Sequence, residues 1–305
     1  MNRLLLLLVG LSLLLAGCAA EPSINVSLSE NLLNGTVRAP VQPDDGAVTV
    51  GFDRRLEPKE DVRMYAPLLA YLGRATGRAF RLHVTPRDGS VVDEIGAGRV
   101  DFAIVGTLSY LQARERLGGR ALVRGLNAEG EPTYRAAIIT RPDSVIRALS
   151  DLRGHSFAFG APNSTQGNLI PRMMLAGEEI NLPDLRGYEY TNSHAATASA
   201  VVNGRDDAGG MQDTLALALQ SRGLVRIVAL SPPYPSSGVM VSATVPEDVA
   251  ELVRKALLAF DPTGRDASGL YHWDRSEMPR GFAPAQDEDY EVLRQWASSL
   301  GLLSR

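Results

Sequence analysis

From Ala47 onward the chain alternates short apolar runs with segments whose apolar residues recur at helical spacing. That alternation restricts the fold more than any other feature. Residues 47–52 read as a strand, and 62–75 carry Met64, Leu68, Leu69 and Leu72 on one helical face. Strands are expected at 80–84, 100–105, 121–123 and 134–140, with helices at 91–97 and 108–117 between them. The pattern repeats beyond Pro142: strands at 156–159, 188–190, 208–211 and 225–230, helices at 165–176, 195–203 and 213–221. A strand at 239–243 and helices at 246–260 and 291–300 close the chain. Strands alternating with helices imply α/β layers, with a mostly parallel sheet flanked by helices. Pro142 and the Ser231-Pro232-Pro233-Tyr234-Pro235 segment punctuate the alternation, which points to two units with the chain crossing between them twice.

The first 46 residues lie outside this pattern. Arg3 precedes an apolar stretch at 4–15 that is short for a bilayer span, and Leu15-Ala16-Gly17-Cys18 follows. This resembles a bacterial lipobox, which implies a lipoprotein signal peptide and lipobox at 1–18, Cys18 as the acylated first residue of the mature protein, and a lipid-membrane partner. Residues 19–46, rich in Ser, Asn, Pro and Asp, read as a tether. Cys18 is the single cysteine, so intrachain disulfides and cysteine metal knuckles are excluded. The four histidines are scattered without metal-ligand spacing, and no cofactor motif appears. A formal charge of −4 without a basic run disfavours nucleic acid as a partner.

One junction suits an anion. The apolar run ending at Phe159 turns through Gly160-Ala161-Pro162-Asn163 and enters a helix at Ser164-Thr165-Gln166-Gly167. A helix start gathers unpartnered backbone N–H groups at the positive end of its dipole, and Ser164 and Thr165 add hydroxyl donors. The bland alternative is a plain N-cap. His194, after Asn192-Ser193, stands at a second helix start, where a ring N–H can donate. Thr107 and Tyr110 follow Gly106 at a third such junction, with Tyr110 readable as packing. Arg54 and Arg55 follow the first strand and could reach the mouth of a cleft, with charged surface as the favoured reading.

The motifs together resemble the phosphate/phosphonate-type substrate-binding proteins of ABC importers. The carrying stretches are Gly98-Arg99-Val100-Asp101-Phe102-Ala103-Ile104-Val105-Gly106, Tyr134-Arg135-Ala136-Ala137-Ile138-Ile139, and Pro162-Asn163-Ser164-Thr165-Gln166-Gly167 with Pro171. Ser193-His194, Val202-Asn203-Gly204, the Ser231–Pro235 segment and Gly281-Phe282-Ala283-Pro284 extend it along nearly all of the mature chain. The resemblance implies a two-lobed periplasmic binding protein with mixed sheets and two crossover strands. Lobe one would be 47–140 plus 239–305, and lobe two 141–238. It implies a small phosphorus oxyanion as ligand, an ABC permease of the inner membrane as partner, and a periplasmic, lipid-anchored location. By the same resemblance Ser164, Thr165 and His194 contact the ligand, Tyr134 donates its hydroxyl, Gln166 stands where the family often has Ser, and Thr107 contributes from lobe one.

The chain also departs from that pattern. Asp88 stands roughly where the family has a Tyr, and Val105 replaces a second one. The acids that hold a ligand amine in the family's aminoalkyl-phosphonate binder fall at Ser236-Ser237 and near Asp213. This leans the expected ligand towards phosphate, phosphite or a simple alkyl phosphonate. A ligand-sensing subunit for a membrane signalling partner would use the same trap. An enzyme is disfavoured, because no nucleophile elbow surrounds Ser164 and no nucleophile–base motif is present.

Overall fold

The computed structural model describes residues 46–55, 58–86 and 89–303. The expected leader, Cys18, most of the tether and Asp88 lie outside them. No helix among the described residues is long and apolar enough to cross a membrane.

The chain runs β1 (Val48–Phe52), α1 (Pro58–Thr76), β2 (Phe80–Leu82), α2 (Val91–Gly96), β3 (Phe102–Val105), α3 (Thr107–Leu117) and β4 (Arg120–Gly125). It leaves this unit through a short β5 (Thr133–Tyr134) and continues as β6 (Ala136–Thr140) and β7 (Ser156–Phe159). A π turn at Thr165–Leu169 leads into α4 (Ile170–Gly177). Then come β8 (Gly187–Tyr190), α5 (His194–Val202), β9 (Ala208–Gln212), α6 (Asp213–Ser221) and β10 (Arg226–Leu230). The return is β11 (Tyr234–Pro235), then β12 (Gly238–Val241), α7 (Glu247–Ala259), β13 (Phe282–Pro284) and α8 (Glu291–Ser299).

The strands form two sheets. The first has the order β13-β4-β12-β3-β1-β2 and the second β10-β6-β9-β7-β8, with β5 and β11 paired as a separate ribbon. The central strands are buried along their whole length: β1, β3, β6 and β12 expose no residue. Helices on both faces account for that, and for their unbroken apolar sequences. One core lies between α1, α7 and the first sheet, where Phe52, Tyr65, Phe260 and Trp273 pack ring to ring. Separate cores line the second sheet, around Phe157 and Phe159 on one face and Ala198, Val201 and Met211 on the other.

The sheets are mixed rather than mostly parallel. β1 pairs in parallel with β2 and β3, and β7 with β8 and β9. β12 lies antiparallel between β3 and β4, and β6 antiparallel between β9 and β10. Both antiparallel insertions are the strands that adjoin the crossing ribbon, so each meets its sheet from the opposite direction. The boundary expected after Thr140 falls beyond β6, which already belongs to the second sheet. The crossing itself runs through Tyr134 opposite Tyr234 and Thr133 opposite Pro235.

Candidate functional site

The stretch Phe159–Gly167 is shaped by two glycines in contact. The Gly160 amide donates to the Gly167 carbonyl at 2.7 Å. A Cβ on Gly167 would fall 2.9 Å from both Gly160 Cα and Ser164 Oγ, so no larger residue fits without moving the turn. Behind it, Pro171 of α4 lies on β9 so closely that a Cβ on Gly210 would come within 2.5 Å of its ring. These close approaches fix the helix start against the sheet. Ser164 caps it, its Oγ accepting from the Gly167 amide at 2.9 Å. The amides of Thr165 and Gln166, ahead of Gly167, have no partner within the helix.

That helix start opens into a cavity of about 180 Å³. A second helix start faces the same space: Ser193 caps α5 by accepting from the Ala196 amide at 3.1 Å, and His194 is the first helical residue. The other side is built from Asp53, Arg54 and Arg55 after β1, Met64 and Tyr65 of α1, and Ser237, Arg275, Ser276 and Glu277. Tyr134 of the crossing ribbon lines the space between them.

Ser164, Thr165, Gln166, His194 and Tyr134 thus come together around one cavity. Thr165 is 3% exposed, and its Oγ1 accepts from the Leu108 amide of α3 at 2.8 Å. That bond joins the helix start to the first unit. Gln166 donates through Nε2 to the Arg135 carbonyl at 2.8 Å, which ties its side chain to the backbone. The Tyr134 hydroxyl donates to Thr107 Oγ1 at 3.0 Å, and burial pushes its pKa up to about 12, so it acts as a neutral hydroxyl.

Thr107 lies behind this wall and does not line the cavity; its hydroxyl donates to the Pro235 carbonyl at 3.1 Å. The start of α3 is already occupied by groups of the protein itself. Asp53 Oδ2 accepts from the Gly106 amide at 2.9 Å, and Oδ1 accepts from Ser109 Oγ at 3.0 Å and from Asn163 Nδ2 at 3.3 Å. With Asp53 and Thr165 on its first amides, this third helix start offers little to an external anion. Tyr110 is buried, as the packing alternative expects, with its hydroxyl donated to the Asp287 carboxylate.

Arg55 is not on the open surface. Its side chain is 19% exposed and forms an ion pair with Glu277, 18% exposed. Burial pushes the Glu277 carboxyl up, but Arg55 and the Ser237 hydroxyl more than offset this and hold it below the usual range. Burial also raises the Asp53 carboxyl, partly opposed by the Gly106 amide and Arg55. Of the positions expected to carry amine-holding acids, Ser237 lines the cavity, Ser236 donates to the Gly125 carbonyl at 2.6 Å, and Asp213 lies outside the lining at the start of α6. Asp53, Asn163 and Glu277 were not singled out from sequence. Asp53 and Asn163 carried a signal, an acid directly after a buried strand and an amide directly before the cap. Glu277 carried none.

His194 is held neutral. Burial lowers its pKa from 6.5 to about 4, opposed by the Glu277 charge and aided less by Arg55, and its Nδ1 is buried without a hydrogen-bond partner among the described residues. An unfolded histidine takes a proton near pH 6.5, so the neutral folded form stabilises the protein fully above that value. This contribution is lost as pH falls from about 6.5 through 4. His194→Asn should therefore melt with a shallower pH dependence than the parent across that window; superimposable dependences would remove His194 from the account.

Among the described residues no group of three or more His, Cys, Asp or Glu is placed to hold a metal ion. A ligand-sized cleft walled by two α/β units, crossed by a paired ribbon and lined by helix starts, belongs to a two-lobed periplasmic binding protein. Solved structures share that fold. PhnD1 of Prochlorococcus marinus, solved in complex with methylphosphonate, superposes with a TM-score of 0.73 at 16% identity, over 84% of this chain and 98% of that one.

The family follows from sequence. The profile of the ABC transporter phosphonate periplasmic substrate-binding proteins matches residues 50–290, and the chain belongs to that family. It is therefore a binding protein and not an enzyme. The phosphate-import protein PhnD of Mycolicibacterium smegmatis is 26% identical over 254 residues, 75% of this chain and 78% of that protein. The phosphonates-binding periplasmic protein of Escherichia coli is 27% identical over 167 residues, 53% of this chain. That match spans about half of the E. coli protein, 48% of its length.

Proposed function

We propose that this chain is the lipid-anchored substrate-binding protein of an ABC importer, and that it takes a phosphorus oxyanion (phosphate, phosphite or a simple phosphonate) into the cavity between its lobes. The observation that carries this is the convergence of two capped helix starts, Ser164-Thr165 and Ser193-His194, on one cavity in which a buried ring nitrogen of His194 has no partner among the described residues. Neutral dipoles held at fixed geometry suit an oxyanion, because each oxygen receives a donor without a full counter-charge. The Ser164 and Thr165 hydroxyls each accept a backbone N–H from behind, so each can turn its proton to a ligand oxygen, Thr165 in place of its bond with Tyr134. Gln166 and Tyr134 complete the wall, with Thr107 as support for Tyr134 rather than as a direct contact.

In this proposal the lobes are built on the two sheets, so the boundary expected at 140/141 moves ahead of β6, and the working hinge is the β5–β11 ribbon. Closure is supported by the bonds that already cross between them, Thr165 to Leu108 and Asn163 to Asp53. No bond in the ligand is made or broken. Cys18 anchors the protein to the membrane through the tether, and an inner-membrane permease receives the ligand.

A thermal-shift panel of phosphate, phosphite, methylphosphonate and sulfate tests the reading. A ligand at one hundred times its dissociation constant adds about 2.7 kcal/mol, enough to move the melting curve visibly. At least one phosphorus oxyanion is expected to do so. A flat response to all of them sinks the proposal.

A further inference from the structure

The two walls of the cavity differ in kind. One presents the helix starts at Ser164 and His194, which are dipoles without net charge. The other presents the carboxylates of Asp53, Asp61 and Glu277. Arg54 and Arg275 stand at the rim, exposed to solvent, so Arg55 is the only cation among the described lining residues that is shielded from it. Its charge is already balanced by Glu277. Asp53 is engaged by three donors of its own, and Asp61 accepts from the Arg55 amide at 3.2 Å. Glu277 is covered by Arg55 and by the Ser237 hydroxyl, but of the three it is the carboxylate whose charge acts on His194. That puts its field at the helix starts where the oxyanion would rest.

We propose that Glu277 sets the charge of the ligand: the cavity selects a phosphorus oxyanion no more negative than minus one, compensated either by a proton kept on one oxygen or by a cation carried by the ligand. This rests on the oxyanion reading above and narrows it. A dianion would place two negative charges beside Glu277 in a partly desolvated space whose one shielded cation is already paired. A singly charged oxyanion keeps the helix-start contacts with half that repulsion, and a ligand with its own cation turns the repulsion into attraction. The lean towards phosphate, phosphite or a simple alkyl phosphonate counted at most one acid, near Asp213; Glu277 enters the cavity from a different segment.

Calorimetric titration of the whole protein and of Glu277→Gln, at about pH 8.5, tests this with three probes of different charge: methylphosphonate, its monomethyl ester and 2-aminoethylphosphonate. The parent protein is expected to bind the ester or the aminoalkyl probe at least about tenfold more tightly than methylphosphonate, the order expected for one like charge in a partly buried site. Glu277→Gln is expected to tighten methylphosphonate by about tenfold and to leave the ester within about threefold. Preference for the ester identifies a retained proton as the compensating charge, and preference for the aminoalkyl probe identifies a ligand cation. Tightest binding of methylphosphonate by the parent, or a ranking that Glu277→Gln does not change, overturns the proposal. If the variant does not fold, the parent's ranking alone decides. If no probe binds either protein, the oxyanion reading itself fails and this one with it.

Discussion

Replacing Ser164 and Thr165 together by alanine is expected to abolish the ligand-induced thermal shift while leaving a folded protein. Each hydroxyl makes a structural bond as acceptor, and in the proposed site each turns its proton to the ligand. Ser164 Oγ accepts from Gly167, and Thr165 Oγ1 from Leu108. Losing the first removes an N-cap, about 1 kcal/mol. Losing the second strands a buried N–H of α3, about 1–3 kcal/mol. The sum stays within the about 5–15 kcal/mol that holds a typical domain together. The ligand loses two hydrogen bonds to a charged group, at about 1.5–3 kcal/mol each. The dissociation constant should rise by about two to four orders of magnitude. Thr165→Ser separates the contributions, since it keeps the hydroxyl and removes only a methyl group. It should retain most of the affinity. A double variant that binds within tenfold of the parent would place the oxyanion elsewhere in the cavity.

The helix start at Ser164 and Thr165 was legible in the sequence because capping is local. A strand, a Gly-Ala-Pro-Asn turn and a hydroxyl pair before an apolar helix make an N-cap whatever the rest of the chain does, and the same holds for Ser193 before His194. The strand and helix alternation was legible for the same reason: it is periodic within ten or so residues. What stayed hidden depends on which distant segments meet. The crossing strands β6 and β12 read as strands, but their antiparallel direction is decided by the path of the β5–β11 ribbon. Thr107 stands at a helix start with every local feature of an anion contact. It was displaced behind the wall because Asp53 and Thr165, far from it in sequence, take the amides of that helix start. Arg55 looked like surface because its neutralising partner, Glu277, sits in an undistinguished loop near the other end of the chain.

That last pair gives the largest expected effect on stability. Arg55→Met should destabilise the protein by about 2–4 kcal/mol, somewhat below the about 3–5 kcal/mol of a fully buried pair, because both side chains keep nearly a fifth of their surface. For a protein of this size the melting temperature should fall by roughly 5–15 °C. The loss comes from what is left behind. Glu277 keeps the Ser237 hydroxyl but loses its cation, and Asp53 and Asp61 remain on the same wall. An unpaired carboxylate in that setting favours protonation, so the penalty should shrink as pH is lowered from about 7 towards 5, opposite in sign to the effect of His194. Arg55→Met with Glu277→Met removes both charges and should recover most of the lost stability. The double-mutant cycle then gives a coupling of about 1–3 kcal/mol. A single variant as stable as the parent, or a cycle without coupling, would mean that the pair is a solvent-screened surface contact. In that case Arg55 would be free to carry the ligand's charge itself.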